Sequence, residues 1–217
     1  MDKRIRRRLK RQTVLDTAIR IADDSGLEAL TMRRLADELG VKPAALYNHV
    51  AGKDALIDGM IDTVMAEMES SSNLGRTWEQ RIRARLSDSR AVAHRHPNLY
   101  RLFAERFTTH IPQVLSLVED ILQALDDAGL DKLTALHAYR TLMNYTIGYC
   151  LAEIRGFSLE GDDSDLPPPF RTHRPLPADF PRVIELAPYL KSVDHDEEFL
   201  FGLDCILSGL TAGTGLG

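Results

Sequence analysis

Residues 31–53 carry the side chains whose types and spacing best suit binding to a polyanion. The stretch Lys42–Val50 contains no acidic residue, although the whole chain has a net charge of −5. Small alanines in this stretch let a helix approach base edges closely, and an alanine methyl can touch the methyl of thymine. Tyr47 and His49 can donate to phosphate, and Asn48 lies between them. The stretch therefore indicates contact with nucleic acid. The alternative is that Tyr47 is a core aromatic.

The elements that position these side chains are two short predicted helices that meet at a tight turn. Thr31 is a suitable N-cap for the first helix, and Gly40 can adopt the left-handed conformation that ends it. Pro43 is tolerated in the first turn of the second helix, which we expect to run from Ala44 to Val50. This pattern is typical of a helix-turn-helix, although a generic αα-hairpin also pairs helices across a glycine. Lys53 then opens a further helix, where free backbone N–H groups favour an anion; the alternative is a solvated charge.

The segment LTMRRLADELGVKPAALYNHVAGKDALIDGM resembles the N-terminal DNA-binding domain of the tetracycline-repressor family of bacterial regulators. The matching features are the T-x-R-x-L-A-x-x-L-G core, the Leu-Tyr-x-His motif and the lysine that opens the fourth helix. The sequence Leu46–Val50 is most similar to the tetracycline repressors themselves. The resemblance is close over residues 10–65 and looser over the rest of the chain.

This resemblance implies a homodimer that binds double-stranded operator DNA and releases it when a small molecule binds. Helix 3 would enter the major groove, and Arg33 would read a base from the start of helix 2. Asn48 stands where an aromatic residue is common and Pro43 where a polar side chain can read a base, so we expect an operator unlike the tetracycline operator. The implied DNA-binding residues are Thr31, Arg33, Lys42, Pro43, Ala44, Ala45, Tyr47, Asn48, His49 and Lys53.

Apolar residues at helical spacing run through almost the whole chain, and no strand alternation or internal repeat is present. We therefore predict an all-α fold with an N-terminal three-helix helix-turn-helix domain and a larger C-terminal helical ligand-binding and dimerisation domain. The expected boundaries are residues 1–58, including a basic arm at 1–11, and residues 59–217. Six of the ten prolines lie in residues 156–181, so we expect a mobile loop over residues 157–180.

Charge is divided unevenly along the chain. Residues 1–53 carry 12 Lys and Arg against 7 Asp and Glu, whereas the remaining residues are strongly acidic. A basic head on an acidic body suggests that one end meets a polyanion, although a solvated basic tail is the alternative. The acidic body also argues against a purely architectural DNA-binding protein, because it would repel DNA.

Several classes of protein are disfavoured by what the sequence lacks. Two cysteines, Cys150 and Cys205, exclude a disulfide scaffold and a cysteine-based zinc site. No apolar run reaches the length of a membrane span, and no signal peptide is evident, so we expect a cytoplasmic protein. No GxSxG, P-loop, HExxH or glycine-rich dinucleotide motif occurs, so we expect no enzyme. A transcriptional repressor is the leading interpretation, and an activator remains the alternative.

The ligand pocket and the dimer interface are predicted from the apolar helices of the C-terminal domain. No histidine stands clearly where the tetracycline repressors bind a magnesium–drug chelate, so we expect an apolar effector with no metal and no cofactor. The apolar pocket candidates are alternatively ordinary core. The candidate pocket residues are Phe103, Phe107, Arg140, Met143, Asn144 and Ile147. The candidate dimer residues, on the last helix, are Phe199, Leu200, Leu203, Ile206, Leu207 and Leu210.

Overall fold

A computed structural model describes residues 9–68, 76–106, 110–154, 179–186, 189 and 194–213. Within these residues the chain forms α-helices and one short 3-10 helix, with no strand, which confirms the predicted all-α class. The helices are α1 (Arg11–Ser25), α2 (Met32–Glu38), α3 (Pro43–Leu46), α4 (Lys53–Met65), α5 (Trp78–Arg95), α6 (Pro97–Arg106), α7 (Pro112–Asp127), α8 (Lys132–Ile154), α9 (Pro181–Leu186) and α10 (His195–Gly213). Most of the basic arm, Phe107 and residues 157–178 lie outside the described residues.

The described residues form two compact units. The first unit comprises the residues up to 75 together with 84–121, and it contains the three helices of the predicted helix-turn-helix domain. The second comprises residues 76–83 and those from 122 onwards, and it contains α8 and α10.

The core of the first unit is built on one face of α1. This helix packs against α2, α4 and α6, and its apolar residues recur at the spacing of one helical face. The crossing with α4 is close, because a Cβ atom at Gly59 would lie 2.9 Å from Cδ2 of Leu15. The absence of a side chain at Gly59 thus sets how near α4 comes to α1. The buried residues of α1 are Val14, Leu15, Ala18, Ile19, Ile21 and Ala22.

Polar contacts fasten the start of α6 to α1 and to the end of α4. His96 Nδ1 lies 2.8 Å from Asp23 Oδ2, and His96 Nε2 lies 3.1 Å from Glu67 Oε1. Asn98 donates from Nδ2 to the carbonyl oxygen of Ala22 at 2.9 Å. Since both ring nitrogens of His96 face carboxylates, a protonated imidazole can donate to both at once.

The second unit is organised around the pairing of α8 with α10. Phe199, Leu203 and Leu207 lie one turn apart on α10 and are all buried. The Tyr145 hydroxyl donates to the carbonyl oxygen of Phe199 at 2.9 Å, and the two rings stack with centroids 5.7 Å apart. A Cβ atom at Gly202 would overlap the Tyr145 ring and hydroxyl, so glycine lets α8 and α10 come this close.

Asp131 caps the start of α8. Its Oδ1 atom accepts from the backbone N–H of Leu133 at 3.0 Å and of Thr134 at 3.2 Å. The Thr134 hydroxyl also donates to Asp131, and these bonds lower the pKa of its carboxyl group below the ordinary value. The cap satisfies N–H groups that the first turn of a helix cannot pair internally.

Candidate nucleic-acid interface

Helix α2 begins at the N-cap that the sequence predicts. The Thr31 Oγ1 atom accepts from the backbone N–H of Arg34 at 3.1 Å. This cap fixes the first turn of α2 and leaves Arg33 exposed on its surface. Leu35 and Ala36, in the next turn, are fully buried and anchor the helix. The candidate base-reading arginine is thus held by a short, well-terminated helix.

The turn after α2 has a defined geometry that directs the chain into α3. Gly40 adopts a φ of 64°, a conformation that favours glycine. Its N–H bonds to the carbonyl oxygen of Asp37 at 3.1 Å, and the Val41 N–H bonds to that of Ala36 at 3.0 Å. This pair of bonds is the Schellman pattern that closes a helix end.

Helix α3 is shorter than the sequence predicts. The expected helix runs from Ala44 to Val50, whereas the structure assigns α3 to Pro43–Leu46 and continues it as turns. Leu46 and Val50 are buried and hold the segment against the unit. The Tyr47 side chain is 56% exposed, which excludes the alternative that it is a core aromatic.

The candidate DNA-binding residues share an outward orientation in the structure. Ala45 and His49 are half-buried, and all the others are exposed. The exposed residues, with these two, form what we call the α2–α3 surface: Thr31, Arg33, Lys42, Pro43, Ala44, Ala45, Tyr47, Asn48, His49 and Lys53.

The cations of this region fall into two groups. Arg20 pairs with Glu38 at 2.9 Å, and Arg34 donates from Nη2 to the Ser25 hydroxyl at 2.9 Å. In contrast, no described residue pairs with Arg33, Lys42 or Lys53. A cation without an internal partner can meet a phosphate without breaking an existing bond.

The start of α4 adds backbone donors to Lys53. Its N-cap residue, Gly52, has an extended conformation and no side chain. The first backbone N–H groups of α4 therefore receive no hydrogen bond acceptor from the N-cap. Asp54 would repel a phosphate there, but its Oδ1 atom accepts from Arg106 Nη2 at 3.1 Å. A helix N-terminus with an exposed lysine is suited to binding an anion.

The candidate pocket residues do not share one environment. Phe103, in the first unit, is 5% exposed, and Met143, in the second, is 6% exposed. Ile147 is half-buried, whereas Arg140 and Asn144 are exposed on α8. Phe107 lies outside the described residues, and no group of three or more potential metal ligands occurs in the described part of the chain.

Two buried polar atoms close in sequence to these positions have no hydrogen-bond partner among the described residues. One is Nε of Arg101 on α6, and the other is Oγ1 of Thr146 on α8. The sequence analysis does not single out Thr146. A lone threonine in an apolar helix has no pattern that distinguishes a buried hydroxyl from one bonded to its own helix.

The dimer candidates on α10 divide between two faces. Phe199, Leu203 and Leu207 are buried within their own chain, where they pack in the α8–α10 pair. Leu200 is 42% exposed, and Ile206 and Leu210 are half-buried. Phe201, which the sequence analysis missed, is 70% exposed. Apolar surface on α10 therefore remains at Leu200 and Phe201.

Small residues accompany this apolar surface. A Cβ atom at Gly148 or Gly209 would meet no atom within 4 Å, and Ala152 and Ala212 are exposed. We call this set the α8–α10 face: Gly148, Ala152, Leu200, Phe201, Gly209 and Ala212.

None of the described helices is long and apolar enough to cross a membrane.

Two family models match the chain. The model described as bacterial regulatory proteins, tetR family, matches residues 14–60. The model described as the tetracyclin repressor-like C-terminal domain matches residues 72–213. Together these matches include both the α2–α3 surface and the α8–α10 face.

Two curated relatives are transcriptional regulators. An HTH-type transcriptional regulator of Saccharopolyspora erythraea is 30% identical over 210 residues, which cover 96% of this chain and 87% of that protein. The HTH-type transcriptional repressor DrrR1 of Streptomyces coeruleorubidus is 32% identical over 142 residues, 65% of this chain. That match spans about half the relative's length, 52%.

Solved structures similar to this chain include complexes with a small molecule and with DNA. ActR of Streptomyces coelicolor in complex with actinorhodin has a TM-score of 0.76 and 29% identity, covering 95% of this chain and 97% of that one. BioQ with its double-stranded DNA operator has a TM-score of 0.66 and 25% identity, covering 94% and 99%.

Proposed function

The chain belongs to the TetR family of bacterial regulatory proteins, and we propose that it contacts its operator through the α2–α3 surface. It is a DNA-binding transcriptional repressor that responds to a small molecule and acts as a homodimer. The observation that carries the proposed contact is a set of three exposed cations that pair with none of the described residues, Arg33, Lys42 and Lys53.

Arg33 and Lys53 have different tasks in this proposal. Arg33, on the first turn of α2, makes two parallel hydrogen bonds to a guanine edge, worth about 1–3 kcal/mol of discrimination. Lys53 holds a phosphate together with the free N–H groups at the start of α4. Phosphate contacts position the protein and carry no direct sequence information.

Selection of binding sites from random DNA by the full-length dimer tests this proposal. We expect a palindrome whose half-sites are spaced by about one helical turn or slightly more. Failure to enrich any sequence would refute operator recognition by this chain.

Two variants then separate base reading from phosphate binding on the selected site. Arg33→Ala should relax specificity at one base pair in each half-site. Lys53→Ala should weaken binding to specific and random DNA alike, and it should lower the salt slope by roughly one unit for each phosphate that the lysine neutralises. Arg34→Ala is the matched control, because Arg34 is already bonded to Ser25. If Arg33→Ala lowers both affinities equally, Arg33 only binds a phosphate.

The regions outside the α2–α3 surface have proposed roles of their own. We propose a DNA-binding domain at residues 1–58 and a ligand-binding and dimerisation domain at residues 59–217. Two subunits pair through the α8–α10 face in an isologous four-helix contact. The exposed Phe201 and the open space at Gly148 and Gly209 support this choice of face.

The remaining proposals concern the effector and the manner of action. We propose a mostly apolar effector, which the buried apolar side chain of Phe103 suits. The protein acts by binding alone, without catalysis, as its relatives are transcriptional regulators. We also propose that the protein works in the cytoplasm, because its partner is operator DNA.

A further inference from the structure

Three carboxylates follow one face of α4. They stand at intervals of four residues, the spacing at which helical side chains are neighbours. Each lies within hydrogen-bond distance of a nitrogen atom from a residue between the end of α6 and the first turn of α7. The pairs are Asp54 with Arg106 Nη2 at 3.1 Å, Asp58 with His110 Nε2 at 3.2 Å, and Asp62 with the backbone N–H of Gln113 at 3.2 Å. The acidic side of α4 is therefore partnered from outside the helix-turn-helix.

The first of these pairs lies beside the phosphate contact proposed above. Asp54 directly follows Lys53 in the first turn of α4, and its side chain is 87% exposed. A carboxylate at this position stabilises the helix, but it also repels a phosphate that binds at the same helix end. Arg106 is the last residue of α6, and its guanidinium group stays protonated. Its positive charge therefore offsets that of Asp54 at the start of α4.

A second ion pair at the other end of α4 provides an internal comparison. Glu67 comes two residues after the helix ends and pairs with Arg95 Nη1 at 2.6 Å. At a rise of 1.5 Å per residue, Glu67 lies about 20 Å from Lys53 along the helix axis. That distance exceeds the Debye length of about 8 Å at physiological ionic strength. The charge of Arg106 can thus act on a phosphate at Lys53, whereas the charge of Arg95 is screened from it.

We propose that Arg106 is a positioning residue for operator binding, which acts by neutralising Asp54 beside the phosphate that Lys53 holds. The inference rests on the phosphate contact proposed for Lys53 and adds to it a residue from α6. Arg106 lies beyond the proposed DNA-binding domain of residues 1–58, although it belongs to the same compact unit. Residues 1–58 alone therefore contain Asp54 without the arginine that neutralises it.

DNA binding by the full-length dimer across a salt series gives the first test. Arg106→Gln removes the charge and leaves Asp54 unpaired, so affinity for selected and random DNA should fall alike, by about three- to tenfold near 0.1 M salt. The loss should shrink as salt rises, because ions screen the repulsion. A loss that is the same at every salt concentration, or no loss at any, would overturn the proposal.

Arg95→Gln is the matched control, because it makes the same change of charge at the far end of α4. We expect this variant to bind DNA as the wild-type protein does. If it loses as much affinity as Arg106→Gln, the effect comes from the net charge of the protein and the proposal is wrong.

A second substitution tests whether Arg106 acts through Asp54. Asp54→Asn alone should bind DNA at least as tightly as the wild-type protein, and it should restore Arg106→Gln to within about twofold of wild-type affinity. Arg106→Lys should retain most of the affinity, because it keeps the charge. A double variant as weak as Arg106→Gln would show that Arg106 does not act through Asp54. A weakened Asp54→Asn protein would also contradict the proposal.

Two further measurements separate the possible failures. An exposed ion pair contributes little to stability, so Arg106→Gln should lower Tm by no more than about 2–4 °C, and a larger fall would assign Arg106 a structural task and overturn the proposal. Lys53→Ala is measured on the same DNA. If Lys53→Ala weakens binding and Arg106→Gln does not, the inference about Arg106 fails while the phosphate contact of Lys53 stands. If neither variant weakens binding, both proposals fail.

Discussion

The α2–α3 surface and the α8–α10 face are both built from two packed helices, but they expose opposite chemistry. The helices that carry the α2–α3 surface bury Leu35 and Leu46 fully, and the surface itself presents polar and small side chains. The α8–α10 pair uses a tyrosine hydroxyl internally, where Tyr145 donates to Phe199, and leaves Phe201 exposed. Exposed polar residues are the ordinary case, whereas exposed apolar residues that form a contiguous patch indicate a partner surface.

The comparison is tested most strongly by placing the same charge on the two faces of α10. Leu203→Glu buries a carboxylate in the α8–α10 contact, and we expect it to lower the free energy of unfolding by about 4 kcal/mol or more. Phe201→Glu, at an exposed site, should leave the subunit folded but yield monomers in light scattering. A folded Leu203→Glu dimer, or a Phe201→Glu protein that remains dimeric, would contradict this division of α10.

The close approach of α8 and α10 gives the next largest expected effect. Gly202→Ala adds a methyl group that overlaps the Tyr145 ring, and overpacking of this kind costs about 1–3 kcal/mol. Gly209→Ala adds the same group where no atom lies within 4 Å, so subunit unfolding should be unchanged or slightly more difficult. Chemical denaturation of both variants measures the contrast, and equal destabilisation would show that helix packing does not depend on residue 202.

The smallest effect comes from removing one hydroxyl in each region. Tyr145→Phe should lower stability by about 0.5–1.5 kcal/mol because it removes the donor of the part-buried bond to the Phe199 carbonyl oxygen. Tyr47→Phe should leave stability unchanged, because the Tyr47 side chain is 56% exposed. It should weaken DNA binding by a similar amount, because the phosphate no longer has the hydroxyl as a donor. If Tyr47→Phe changes the free energy of unfolding but not the affinity for DNA, the proposed difference between the two hydroxyl groups is wrong.

Much of the helical framework follows from local sequence signals. Thr31 and Pro43 mark helix starts that the structure confirms, because a side-chain cap or a first-turn proline acts within a few residues. Gly40 marks the turn for a similar reason, since its positive φ is a local requirement. Helix α9, which begins at Pro181, was not predicted, because a proline also begins loops.

The extent of α3 and the sidedness of α10 were not predictable in the same way. The helical pattern from Ala44 to Val50 does not reveal that the last residues form turns, because the two states differ by few hydrogen bonds. On α10, Phe201 and Leu203 are both apolar, and only the position of Tyr145 determines which of them is covered.

The close packing of Gly202 against Tyr145 also bears on how this sequence can diverge. A side chain at residue 202 is compatible with the packing of α8 against α10 only after the tyrosine ring at residue 145 has been replaced by a smaller group. The opposite order passes through an intermediate that loses a substantial part of a domain stability of about 5–15 kcal/mol. We therefore expect substitutions in this helix pair to occur in one order. Tyr145 is replaced by a smaller residue first, and only then is a side chain at residue 202 tolerated.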